Sequence, residues 1–208
     1  MNPRTLTVSR LGYRYPSGRD VLRDLDLTAS AGEITAIIGQ SGSGKSTLLA
    51  CLGGLLTPTS GRVVVQGGRE SFAIVTQGAP LFDNITVWEN VALAWGYPRR
   101  ALRAHALEVL ESFGISAVAD SLPRGISFGQ RQRVAIAAAV ASDSPAILAD
   151  EPTGGLDPEN STRVGLALRT AATSGRIVIA VTHDESIEAI AHHVLRLEAG
   201  TLTVGGAA

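Results

Sequence analysis

Residues 39–46 read Gly-Gln-Ser-Gly-Ser-Gly-Lys-Ser. Glycines at this spacing let backbone N–H groups wrap a phosphate without Cβ clashes, and a helix opening there adds unsatisfied donors and a favourable dipole. Lys45 supplies a point charge for the β- and γ-phosphates, and Ser46 offers a hydroxyl to Mg²⁺. Far downstream, the apolar run Ala146-Ile147-Leu148-Ala149 ends in Asp150 and Glu151. A buried strand ending in carboxylates delivers them to the edge of a parallel sheet where ligands bind. Asp150 there can hold Mg²⁺ through water. Glu151, one residue further, can polarise an attacking water. A Gly/Ser turn before a lysine, or solvated acids at a strand exit, would each be unremarkable alone. Together they point to binding a nucleoside triphosphate and transferring its γ-phosphoryl group to water.

Those residues need a scaffold that brings strand ends together. Glu33–Ile38 is a short β-branched run, so a buried strand, and it feeds the glycine loop and a helix over Lys45–Leu52. Thr5–Leu11 and Val21–Thr28 alternate as strands around a Pro16-Ser17-Gly18 turn. Arg62–Val65, Phe72–Thr76, Pro145–Ala149 and Ile177–Val181 are further strands. From Thr86 the apolar period becomes helical, through Val87, Val91, Leu102, Ala106 and Leu110, and Ser127 caps a helix to about Ala141. Ser186–His192 reads as helix, and Val194–Leu197 with Thr201–Val204 as a closing hairpin. The expected organisation is β-rich, then α/β, then an all-helical insert, then α/β again.

Composition narrows the classes. At 208 residues the prior is one domain. A net charge of −1, from 18 Lys+Arg against 19 Asp+Glu, gives no nucleic-acid footprint, so no nucleic acid is expected as a partner. A 45% hydrophobic, 18% charged chain is not disordered. A single cysteine, Cys51, excludes a disulfide framework and suits a reducing compartment. No run approaches a membrane span and the N-terminus shows no signal-peptide core, so a cytoplasmic location is expected.

The stretch Gly125-Ile126-Ser127-Phe128-Gly129-Gln130-Arg131-Gln132-Arg133-Val134 precedes the acid-tipped strand and resembles the ABC signature, whose usual form is L-S-G-G-Q. Ser127, Gly129 and Gln130 match; Ile126 and Phe128 depart from it. With the P-loop, this identifies the chain as resembling an ABC-transporter nucleotide-binding subunit, over about Leu6 to Leu202. The resemblance implies ATP with Mg²⁺, and nucleotide contacts from Gly39, Gln40, Ser41, Gly42, Ser43, Gly44, Lys45, Ser46 and Thr47. It places Tyr15 where an aromatic stacks on adenine, with Tyr13 as the neighbouring alternative. It gives Gln77 a role beside Mg²⁺ and the attacking water, Asp157 a crossing of the dimer interface, and His183 a γ-phosphate contact. His105, His192 and His193 are expected to have no chemical role. In the family the signature residues Ser127, Gly129 and Gln130 close over the ATP of the other subunit, so a homodimer or a heterodimer with a similar ATPase is implied. Phe128 adds bulk to that interface.

The fold that the resemblance implies is α/β, a single nucleotide-binding domain: a P-loop NTPase core with a RecA-like, mainly parallel sheet and an N-terminal antiparallel β subdomain over residues 1–78 and 143–208, and an α-helical subdomain insert with the signature over 79–142. The implied function is to drive transport by a separate integral-membrane permease, with the chain peripheral on the inner face of the plasma membrane. Gly154 and the run Gly53–Gly61 look more like the group serving lipoprotein release, macrolide or haem efflux and cell division. Two other readings stand beside this one: a non-transport ABC ATPase acting on a soluble or nucleic-acid partner, and a degenerate regulatory nucleotide-binding module, suggested by Phe128.

Overall fold

A computed structural model describes residues 4–66, 72–96 and 99–204. Strands β1 (Thr5–Arg14), β2 (Asp20–Ser30) and β4 (Ser60–Gln66) form an antiparallel sheet in the order β2-β1-β4. A six-stranded sheet holds β5 (Phe72–Val75), β6 (Ala146–Asp150), β7 (Ile177–Thr182), β3 (Ile34–Ile38), β8 (His193–Glu198) and β9 (Thr201–Val204), in that spatial order. The first five run parallel and only β9 is antiparallel. The exits of β3, β5, β6 and β7 therefore lie along one edge, which is what the sequence motifs require.

β3, β6 and β7 are apolar almost throughout because they are covered on both faces. Their side chains alternate between two cores. Ile147, Ala149, Val178 and Ala180 join a core built with helices α2 (Val87–Ala92), α3 (Arg103–Ser112), α4 (Phe128–Ala141) and α5 (Pro158–Thr173). Ala146, Leu148, Ile177, Ile179 and Val181 face the other way, onto α1 (Lys45–Leu52) and the antiparallel sheet. The period of two puts Asp150 on the α1 side with Ala146 and Leu148, where it shares the cleft with Lys45 and Ser46 of α1.

The helix ends are satisfied by side chains. Ser127 and Gln130 form a capping box on α4, as Thr86 and Glu89 do on α2. Arg133 donates to the carbonyls of Phe113 and Gly114 beyond the end of α3, and Arg176 to those of Ala139 and Val140 at the end of α4.

Two elements depart from the sequence expectation. Helix α5 is absent from that expectation: its buried positions fall at helical spacing, but Ser161, Gly165, Ala171 and Ala172 are small, beside Val164 and Leu168. The last short helix, α6, covers only Glu185–Glu188 rather than Ser186–His192. The chain leaves it early because His192 pairs with β3: its Nδ1 accepts from the Ile34 N–H at 2.9 Å and its own N–H donates to the Ile34 carbonyl at 2.8 Å. His193 then opens β8. Among the described residues, no helix is long and apolar enough to cross a membrane.

Candidate functional site

A cleft of about 630 Å³ opens at the shared strand edge. Its floor is the loop between β3 and α1. Gly44 is the N-cap of α1 with φ +109°, a left-handed conformation that a side chain resists. Gly39 has no room for a Cβ, which would lie 2.4 Å from the Leu197 carbonyl oxygen. Lys45 is buried, and its Nζ donates to the carbonyls of Gly39 at 2.7 Å and Gln40 at 3.2 Å. The ammonium thus holds the loop closed on itself with one N–H to spare.

Acids and an imidazole line the back. Asp150 is 4% exposed, and burial pushes its carboxyl above the usual carboxylate range, against the opposing hydrogen bond from Ser46. Glu151 leaves the strand in a left-handed conformation, φ +50°. That turn aims its carboxylate at β7: Oε2 accepts from the Thr182 hydroxyl at 3.0 Å, and Oε1 lies 2.8 Å from His183 Nδ1. The His183 side chain is 78% exposed against 14% for Glu151, so the imidazole stands at the mouth and the carboxylate at the back.

The cleft also gathers Tyr15, Gln40, Ser41, Gly42, Ser46, Thr47 and Gln77. Of the two tyrosines, Tyr13 is a core residue and Tyr15 lines the cleft. The rings meet edge to face at 4.9 Å, and the Tyr15 hydroxyl is 3.2 Å from Thr47 Oγ1. Ser43 is not a wall residue; its buried hydroxyl has no protein partner and its N–H donates to Gln40.

The signature residues lie elsewhere. Ser127, Gly129, Gln130 and Asp157 are not on this cleft. The Ser127 N–H donates to Gln130 Oε1 at 2.8 Å, and Ser127 Oγ accepts from the Gln130 N–H. Asp157 caps α5 by accepting from the Asn160 N–H at 2.9 Å, and its pKa is lowered by this bond and by the Asn160 side chain. Phe128 is 53% exposed and packs over Gly155, so the signature turn and the loop carrying Asp157 are joined through the ring.

Sequence reasoning missed four supporting residues: Thr182, Thr153, Asp184 and Gln132. Thr153 is buried and its hydroxyl donates to Asp184 Oδ2. Asp184 also caps α6 through the Ser186 N–H at 2.8 Å. Burial raises the Asp184 pKa, but these hydrogen bonds outweigh it and the net shift is downward. A lowered folded-state pKa means stability that is present above the unfolded value and lost as pH falls through the folded one. Asp184→Ala is expected to lose about 1 kcal/mol at neutral pH, the scale of an N-cap. In denaturant titrations the difference from wild type should shrink in acid; a pH-independent difference would contradict this account.

Comparison with known proteins places the chain in a family and matches its fold. The family model described as ABC transporter matches residues 22–154. The chain is 39% identical over 212 residues to the macrolide export ATP-binding/permease protein MacB 1/2 of Paracoccus denitrificans, covering 92% of this chain and 32% of that protein. It is 38% identical over 200 residues to the pyoverdine export ATP-binding/permease protein PvdT of Pseudomonas fluorescens, covering 88% and 30%. The chain thus spans about a third of the length of these curated relatives. Among solved structures, the dimeric post-hydrolysis state of the ATP-binding cassette MJ0796 bound to ADP and Pi superposes with a TM-score of 0.86 at 29% identity, covering 97% of this chain and all of that one. A bacterial Atm1-family ABC exporter with ATP bound gives 0.84 at 27%, covering 98% and 39%. The chain belongs to the ABC transporter family, whose ATP-binding cassette it forms.

Proposed function

We propose that the chain binds and hydrolyses ATP as one half of a cassette dimer and drives transport by a membrane permease. The observation that carries this reading is the convergence of three strand ends on one cleft: the glycine loop with Gly39, Gly42, Gly44 and Lys45 after β3, Asp150-Glu151 where β6 ends, and His183 just beyond β7. The loop N–H groups and Lys45 receive the phosphates, and Tyr15 with Thr47 forms the wall for the base. Glu151 orients and deprotonates the attacking water, and His183, facing the cleft mouth, stabilises the γ-phosphate. Gln77 lines up the same water and reports to the permease.

Ser46, Asp150 and Gln77 offer only hard oxygen donors, which suits Mg²⁺. A dication would also offset the burial that now opposes ionisation of Asp150. When bound, Mg²⁺ neutralises charge on the phosphates. Because Ser127 accepts within its own cap, its hydroxyl proton stays available to a phosphate of the opposite subunit. The split into residues 1–78 with 143–208 and 79–142 belongs to this reading, supported by α2–α4 lying between β5 and β6 in sequence. Relatives named as exporters support an export role, with the chain on the inner membrane face.

The test is phosphate release from Mg²⁺-ATP by the full chain, together with detergent co-purification. Turnover and recovery of a multi-span membrane protein are expected. Turnover with only a soluble or nucleic-acid partner would overturn the transport role, and absence of turnover in the assembled complex would overturn the ATPase role.

A further inference from the structure

Gln132 lies in α4, five residues beyond the cap Ser127, and is 2% exposed. Its side-chain amide leaves α4 entirely. Nε2 donates to the Glu151 carbonyl at 3.0 Å and to the Pro152 carbonyl at 3.3 Å. Those carbonyls sit at the point where β6 ends in a left-handed residue, φ +50°, which a non-glycine side chain disfavours by about 1–2 kcal/mol. The backbone of residue 151 is pinned from other directions too. Its N–H donates to the Val181 carbonyl at 2.8 Å, and its carbonyl accepts from the Gly154 N–H at 3.0 Å. Gln132 is distinctive within that set because it is the contact that comes from the signature helix.

We propose that Gln132 is a positioning residue for Glu151. Its two hydrogen bonds hold the left-handed turn that aims the carboxylate at Thr182 and His183. Because α4 is a rigid helix opened by Ser127, the same bonds tie the position of the base to the position of the signature. When the signature engages a nucleotide, the base on the same chain is drawn into register through one side chain. This inference rests on the reading of Glu151 as the base.

The test replaces the donor and keeps the volume. Gln132→Met in the full chain is expected to lower kcat for Mg²⁺-ATP by about 10- to 100-fold, the effect of misplacing a reacting group by around an ångström. KM and equilibrium ATP binding should stay close to wild type, because the Gln132 side chain does not line the cleft. In a double-mutant cycle with Glu151→Gln, the second substitution should add nothing to the loss. Wild-type kcat in Gln132→Met overturns the proposal, as does a loss that multiplies with that of Glu151→Gln. If Gln132→Met fails to fold, Gln132→Asn is read the same way, since it keeps the amide but withdraws it by one methylene. The outcomes separate the two claims. A dead Glu151→Gln beside a fully active Gln132→Met removes the positioning role and leaves the base in place. An active Glu151→Gln removes the base itself.

Discussion

Glu151→Gln is expected to keep ATP binding and abolish turnover. The substitution is nearly isosteric: its amide oxygen can take the position that accepts from Thr182, and its NH2 can donate to an unprotonated His183 Nδ1, so the contacts at 3.0 and 2.8 Å can be replaced. What is lost is the ability to take a proton from water, worth about 10²- to 10⁴-fold. The Glu151 carboxylate bonds to Thr182 and His183, whereas Lys45 bonds to Gly39 and Gln40, so the substitution leaves the bonds that hold the phosphate loop in place. The ATP-bound state therefore has no exit by hydrolysis, and the dimer closed around nucleotide should accumulate. Phosphate-release kinetics, equilibrium nucleotide binding and size-exclusion chromatography with light scattering measure the three quantities. Hydrolysis at the wild-type rate would sink the assignment.

Lys45→Ala is expected to fail one step earlier. Its ammonium is placed inside the loop by direct hydrogen bonds to two loop carbonyls. A phosphate entering the cleft takes up the spare N–H as a charge-assisted bond, a class contributing about 1.5–3 kcal/mol each. Removing the side chain deletes that contact and releases the two carbonyls it holds. The affinity for ATP should fall by about 10- to 100-fold, by the tenfold-per-1.4 kcal/mol rule. Titration with a fluorescent ATP analogue reads this directly, and undiminished affinity would contradict the role given to Lys45. The two variants separate binding from chemistry: one holds ATP without cutting it, the other scarcely holds it.

Legibility in the sequence followed the range of the interactions. The phosphate loop could be read because its requirements are local: three glycines, one lysine and one serine within eight positions. The acid-tipped strand could be read because burial on both faces forces an unbroken apolar run that ends sharply. Gln132 and Thr153 gave no such signal. Each acts through a partner fixed only by the fold, 19 residues away at Glu151 and 31 residues away at Asp184. Helix α5 was missed for a related reason. Asp157 and Pro158 are good opening residues for a helix. Asp157 drew attention as an interface residue, however, and the following positions include small buried side chains that leave a thin stripe. Of the two tyrosines, burial puts Tyr13 in the core and leaves Tyr15 on the cleft, a difference that their shared strand pattern did not show.

The alternation of β6 between two cores also makes strand length a matter of parity. Ala146, Leu148 and Asp150 share one face, so the distance from the start of the strand to its acid tip is an even step. A single inserted residue would exchange the faces, sending the acid toward α4 and presenting an aliphatic side chain to Ser46. An inserted pair would restore the order of faces and merely raise the acids above the cleft floor. Length variation in this strand, whether arising naturally or by engineering, is therefore constrained in twos, and an odd change reads as loss of the site even where the fold survives.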